Sequence, residues 1–149
     1  MRGRDFGKWL LWGAGLYVLD RIIKLLISQT GWVWAGPGFF IRSALNQHAV
    51  FSWPMSQIWQ LSLGFLSLLF LGYIGYTITA NYDRRALVGL ILMMAGGLSN
   101  MLDRWQGGVV DVFYLPVGLF FNLSDIYLIV GLAMFICYNW NKKKFGFKV

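Results

Sequence analysis

The sequence predicts an all-α membrane protein: four transmembrane helices, both termini cytoplasmic, and a small extracytoplasmic β-like cradle between helices one and two. Three observations carry that prediction. The 149-residue chain is 58% hydrophobic and only 13% charged, against about a quarter charged in ordinary soluble domains. Its apolar residues fall into runs of membrane-span length, the clearest being 23 residues from Ile58 to Ala80 without a charge. Its basic residues sit in short clusters between those runs, where membrane proteins keep them. The net charge of +7 is thus read as an orientation signal rather than a nucleic-acid surface, and the length suits one domain, residues 1–149.

The first span is expected over about residues 8–28. Trp9 to Leu19, behind Arg2, Arg4 and Lys8, has the form of a signal peptide's apolar region, but no small-residue cleavage site follows. Apolar character instead resumes in DRIIKLLIS, where Asp20 and Lys24, four residues apart, can pair on one helix face. The outer segment, about 31–56, is punctuated by Gly31, Gly36, Pro37, Gly38 and Pro54, and the alternation in FFIRSALNQHAVFS is compatible with short strands. Its Trp32, Trp34 and Trp53, with Trp59, suit a membrane–water interface.

The second span, about 58–80, reaches roughly 35 Å at about 1.5 Å per residue, enough for a hydrocarbon core about 30 Å thick. The third is expected over about 86–103. The fourth, about 122–140, ends before Lys142, Lys143 and Lys144. Orientation follows from the cations. Arg2, Arg4, Lys8, Arg84, Arg85, Lys142, Lys143, Lys144 and Lys148 fall on one side, while Arg21, Lys24, Arg42 and Arg104 fall in or near the other half. The excess places both termini and the NYDRR loop in the cytoplasm. Small residues within the spans, Gly13, Gly15, Gly64, Gly72, Gly75, Gly96 and Gly97, are read as close helix packing in lipid.

All six acidic residues are Asp. Asp5 and Asp83 lie beside basic residues; Asp20, Asp103, Asp111 and Asp125 gather near the outer face. Charged side chains at membrane depth are expensive and point to function. Asp111 and Asp125 would stand about 21 Å apart in an unbroken helix, but Gly107, Gly108, Pro116 and Gly118 break one. The chain is expected to turn near Arg104 and re-enter at Asn122, which can bring the two carboxylates together. Two carboxylates in a low-dielectric site do not both ionise easily, so one keeps a proton and the other is charged. Such a pair titrates as a unit and supplies an acid and a base for one water, with no cofactor and no metal.

Taken singly, Asp125 reads as a helix N-terminal carboxylate and Asp111 as a loop residue. Together with Asn100, Asp103, Arg104 and Asn122 they read as a site. A Ser–His reading built on His48 with Ser52 or Ser124 lacks the carboxylate that orients the base. One His and one Cys137, read as a packed small hydrophobe, argue against a metal centre.

Five elements then align with a known family. Asn100-Met101-Leu102-Asp103-Arg104 gives N-x-x-D-R; Val109-Val110-Asp111-Val112-Phe113 resembles V-V-D-F; Phe121-Asn122-Leu123-Ser124-Asp125 resembles F-N-x-A-D. Asp20 and Lys24 form D-x-x-x-K, and Asn46-Gln47-His48-Ala49-Val50-Phe51-Ser52 resembles N-x-G-A-x-F-S. With these elements taken in chain order, the chain resembles the lipoprotein signal peptidases (signal peptidase II), membrane aspartyl proteases with four transmembrane helices.

The resemblance implies that Asp111 and Asp125 are a catalytic dyad cutting diacylglyceryl-modified prolipoproteins just before the lipidated cysteine. It implies that Asn100, Arg104 and Asn122 line the site and contact the substrate backbone, with Asp103 in the same polar cluster. Asp20, Lys24 and Asn46 would support the site or its outer loop. It further implies a monomer in the bacterial cytoplasmic (inner) membrane, among membrane lipids, with the site near the outer face. The dyad spacing is shorter than usual for the family, His48 stands where Gly is favoured, Ser124 where Ala is, and Arg21 where Gln is common. The rival is a non-catalytic lipoprotein- or lipid-binding relative, which gives no reason to keep two separate aspartates at a cleft mouth.

Overall fold

The computed structural model describes residues 3–48, 54–81 and 84–144. Four helices account for most of them: α1 (Gly3–Thr30), α2 (Gln57–Asn81), α3 (Arg84–Trp105) and α4 (Leu123–Lys144). Strands β1 (Trp34–Gly36) and β2 (Phe39–Asn46) follow α1, while β3 (Val109–Leu115) and β4 (Leu119–Phe121) connect α3 to α4. The first helix runs through its charged turn without a break because Lys24 Nζ reaches Asp20 Oδ2 at 2.9 Å, one turn back. Residues 57–77 and 86–105 are long and apolar enough to cross a membrane, each with mean hydropathy 1.6; the apolar part of α4, residues 123–138, is shorter. Ala49 to Trp53, with Ser52 of the expected outer-loop element, and Asp83 lie outside the described residues.

The sheet is larger than the sequence reading. Strands were expected only in the outer segment between the first two helices, and the α3–α4 connection was read as a plain turn-back. Instead β3 and β4 join β1 and β2 in one antiparallel sheet of order β1-β2-β3-β4. Alternation fails as a signal in VVDVFYL because both sheet faces carry apolar rings. On one face Trp34, Phe39, Phe113 and Phe121 follow one another with centroids 6.1, 5.8 and 5.3 Å apart. On the other, Phe40, Tyr114 and Phe120 stand 5.7 and 4.5 Å apart, with Arg42 over the Tyr114 ring at 4.9 Å. Cross-strand aromatic pairs of this kind stabilise a sheet. Gly38 and Gly118, with φ of 76° and 85°, supply the left-handed turn positions of the two hairpins.

The third helix is the hub: α1, α2 and α4 all pack against it, and β2 and β3 rest on α1. Ala86, Leu87, Leu90, Met93 and Ala95 on α3 are buried. Outward-facing positions stay apolar, with Leu11, Trp12, Ile58, Phe70 and Tyr76 each more than two-thirds or nearly two-thirds exposed. Meanwhile the largest fully buried side chains are Lys24, Val112, Asn122, Asp20, Asp103, Asp111, Ser99 and Ser124, all but one of them polar. Apolar outside and polar inside suits lipid as the surrounding solvent. Cys137, read as packed, is exposed on α4.

Helices α3 and α4 touch backbone to backbone at a glycine pair. A Cβ on Gly131 would stand 2.5 Å from the Gly89 carbonyl oxygen, and one on Gly89 would stand 2.8 Å from that of Gly131. Close approach of this sort is how helices associate in lipid. Backbone cannot swing aside as a side chain can, so Gly131→Ala must push the helices apart. It is expected to cost about 1–3 kcal/mol, read as earlier thermal unfolding in detergent; unchanged unfolding would show that the contact yields freely.

Candidate active site

Two local devices bring Asp111 and Asp125 to one place. At the end of α3, Gly108 N–H donates to Asp103 O at 3.1 Å and Gly107 N–H to Arg104 O at 3.1 Å, with Gly107 at φ 113°. This is a Schellman cap, which ends the helix and reverses the chain. The chain then enters β3, whose Asp111 lies opposite Ala44 of β2. At the start of α4, Asp125 N–H donates to Asn122 Oδ1 at 3.0 Å, and Asn122 N–H donates to Asp125 Oδ2 at 3.1 Å. This reciprocal pair is a capping box with Asn122 as N-cap and Asp125 three residues on. Asp125 is therefore a capping residue, and the cap is also what aims it at the site.

Asn122 ties the two aspartates together. While its Oδ1 holds the Asp125 N–H, its Nδ2 donates to Asp111 Oδ1 at 2.9 Å. Asp111 Oδ2 accepts from Asn46 Nδ2 at 3.2 Å, and Asp125 Oδ1 accepts from Asn100 Nδ2 at 2.8 Å. Each carboxylate thus has a donor on each oxygen, supplied by three asparagine amides and one backbone N–H. Asp111 is 2% exposed and Asn122 fully buried. Burial pushes the Asp111 carboxyl above the usual carboxylate range; the Asn46 bond opposes this, and the neighbouring Asp125 charge adds to it.

Beneath the pair lies a buried ionic cluster. Lys24 Nζ donates to Asp20 Oδ2 at 2.9 Å, Asp103 Oδ2 at 2.7 Å and Asn100 Oδ1 at 3.1 Å, using all three of its donors. Arg21 pairs with Asp103. The two cations and two anions balance, which an interior site requires. Asp20 also accepts from Ser99 Oγ at 2.5 Å and from Ser124 N–H at 2.9 Å, pinning the first turn of α4 to α1 and α3. Asp103 Oδ2 accepts from Val110 N–H at 3.3 Å, tying β3 to the same cluster. Through Lys24 and Asn100 the ionic cluster reaches Asp125 in two hydrogen bonds.

Eight of the nine residues singled out in the sequence lie in this one network: Asp111 and Asp125, Asn46, Asn100 and Asn122 on their oxygens, and Asp20, Lys24 and Asp103 in the ionic cluster. Arg104 sits beside them, within electrostatic reach of Asp125, Asp111 and Asp103. It was expected to meet a substrate backbone; its Nη1 here donates to His48 O at 3.1 Å and to Gln60 Oε1. His48 itself is exposed at the segment's edge and its ring takes no part in any hydrogen bond found among the described residues. Three members went unnoticed. Arg21 enters the sequence reading only as an outer-half cation and a family departure, although a charge so far inside a helix is itself a signal. Ser99 was passed over beside Gly96 and Gly97, and Gln60 was absorbed into a charge-free run. Among the described residues, no three His, Cys, Asp or Glu converge so as to hold a metal ion.

Comparison with known proteins agrees in one direction. A family model described as signal peptidase (SPase) II matches residues 13–141. The lipoprotein signal peptidase of Wolinella succinogenes is 35% identical, over 95% of this chain and 96% of its own length. That of Streptococcus pneumoniae is 36% identical, over 79% of this chain and 82% of its own. A bacterial membrane enzyme solved by the in meso method at 2.3 Å resolution shares the fold, with TM-score 0.79 and 23% identity over 92% of this chain and 90% of that one.

Proposed function

The chain belongs to the signal peptidase II family, bacterial membrane peptidases of the aspartic type, and on that premise we propose that Asp111 and Asp125 are its catalytic pair. The substrate is a prolipoprotein carrying a diacylglyceryl cysteine, cut at the bond N-terminal to that cysteine. The observation that carries the reading is the Asn122 side chain, which bonds Asp111 with its amide nitrogen and the Asp125 N–H with its oxygen. A residue that served only as a helix cap would have no need of the second carboxylate.

In the reaction, a water held between the carboxylates loses a proton to the ionised member as its oxygen attacks the scissile carbonyl. The protonated member gives its proton to that carbonyl oxygen, and the resulting tetrahedral intermediate collapses as the leaving amine takes up a proton. One carboxyl of the pair keeps the shared proton at neutral pH while the other is ionised. Asn46, Asn100 and Asn122 hold both side chains in place. Arg104, one edge of which is held by His48 and Gln60, can turn its remaining N–H groups to a substrate carbonyl.

The enzyme would be a monomeric single domain, residues 1–149, with spans over about 8–28, 58–80, 86–103 and 122–140. Both termini would face the cytoplasm, and the site would lie near the outer face of the inner membrane. The polar interior at the sheet end of the bundle and the apolar helix exteriors support that placement. A cleft on α3 between α1 and α2, about 1280 Å³ and lined by residues such as Tyr17, Phe65, Leu90 and Met94, offers apolar surface to lipid chains.

The test is direct. Purified protein in detergent, given a diacylglyceryl-modified precursor, is expected to release the signal peptide, while the unlipidated precursor stays intact. A protein that binds the precursor and leaves it whole would refute the reading. The pH profile has a defined sign. Because burial raises Asp111 above the ordinary range, its proton persists to higher pH than on a solvated Asp and leaves as pH rises through the shifted value. Activity should therefore be bell-shaped, falling at low pH as the second carboxylate protonates and surviving on the alkaline side beyond the usual carboxylate range.

A further inference from the structure

Gln60 lies on the first turns of α2, is 8% exposed, and uses every polar atom of its amide. Its Nε2 donates to Met55 O at 2.7 Å and to Gln47 O at 3.0 Å, and its Oε1 accepts from Arg104 Nη1. One side chain thus holds the carbonyls of Gln47 and Met55. Arg104 adds a third hold, donating to His48 O at 3.1 Å. The residue just before these anchored carbonyls is Asn46. His48 N–H donates to Asn46 Oδ1 at 3.0 Å, which fixes the amide so that its Nδ2 can only point the other way, onto Asp111. Without that orientation an Asn amide could rotate by half a turn and offer its oxygen to the carboxylate instead of a donor.

We propose that Gln60 is a positioning residue for the reaction: with Arg104 it clamps Gln47 and His48, and through them sets the Asn46 amide against Asp111. The inference rests on Asp111 being catalytic and adds the residue that determines how one of its donors is held. Helix α2 packs chiefly on α3, and this clamp is a polar link from α2 to the site, beside the bond from Gln57 Nε2 to Arg104 O at 2.7 Å.

The experiment compares Gln60→Glu and Gln60→Met with the unaltered protein, cleaving the diacylglyceryl-modified precursor across pH. Glu keeps an acceptor for Arg104 but cannot donate to Gln47 or Met55; Met removes all three bonds at similar length. Both are expected to lower kcat by roughly tenfold, the equivalent of one hydrogen bond, with KM nearly unchanged. The alkaline limb should move to higher pH in both, because the Asn46 bond favours ionised Asp111 and its loss lets the proton stay longer. The charged groups near Asp111, namely Asp125 on α4, Lys24 on α1 and Arg104 on α3, remain in both variants; Gln60→Glu adds a carboxylate beside Arg104, so the limb of Gln60→Met is the one that isolates the Asn46 bond. Limb position does not depend on the folded fraction of a preparation, so a partly unfolded variant still reports.

Adding Asn46→Ala to Gln60→Met should make cleavage no worse than Asn46→Ala alone, since the two act through one bond. An unmoved limb in both variants, or losses that multiply in the double variant, would overturn the inference. Asp111→Asn in the same assay separates the two levels: if it still cuts, the dyad fails, and if it is dead while Gln60→Met matches the unaltered protein, only the clamp fails.

Discussion

Replacing Asp111 or Asp125 by Asn is expected to abolish cleavage while leaving an inserted, folded protein. A positioned acid or base typically contributes about 10²–10⁴-fold, so each single variant should lose on the order of 10³-fold or more in kcat. The double variant should be no slower than either alone, because the two groups act on one water as a unit. The structural cost is confined to one side of each carboxylate. An Asn at 111 must turn its own NH2 toward either Asn46 Nδ2 or Asn122 Nδ2, and neither neighbour can turn over, since each has its oxygen engaged by a backbone N–H. One lost hydrogen bond is worth about 1 kcal/mol, far less than the effect on rate. Cleavage assays alongside thermal unfolding in detergent separate the two. Retained cleavage by either variant would remove the pair from the mechanism.

Lys24→Met is expected to be the most damaging substitution outside the pair. It leaves Asp20 and Asp103, each 1% exposed, without the ammonium that bridges them at 2.9 and 2.7 Å. Removing one partner of a buried ionic set costs about 3–5 kcal/mol, because the remaining charge is left uncompensated in low dielectric. The damage should spread along the network. Asp20 holds the Ser124 N–H at the start of α4, and Lys24 also orients Asn100, the donor to Asp125. Loss of stability should therefore come with loss of activity in whatever protein survives. Pairing it with Asp20→Asn, which removes the surplus negative charge, should recover part of the stability. Equal unfolding midpoints for Lys24→Met and the unaltered protein would show that the cluster is not held by charge balance.

Much of this site was legible before any coordinates. Asp111, Asp125, Asn100, Asn122 and Arg104 stand out because charged and amide side chains inside so apolar a chain are costly and need partners. Asp20 and Lys24 stand out by helical spacing alone. What was not legible falls into two kinds. The strands β3 and β4 were hidden because aromatic residues on both faces erase the two-residue alternation that usually betrays a sheet. Arg21, Ser99 and Gln60 were hidden because their partners lie far away in sequence: Asp103 for Arg21, Asp20 for Ser99, and Arg104 for Gln60. Local pattern carries no information about such pairings.

The sequence by itself determined the apolar helices, the family, and the list of polar residues gathered near one end of them, since hydropathy and short motifs are written along the chain. Only the tertiary structure decided which polar atom meets which. Asn122 joins the two aspartates only because the capping box of α4 and the strand β3 converge on it. Lys24 is neutralised by Asp103 only because α1 packs on α3. The reason is physical: transfer energies are properties of single residues and add along a segment, whereas a hydrogen bond exists only when the packing of separate elements sets two atoms at bonding distance and angle.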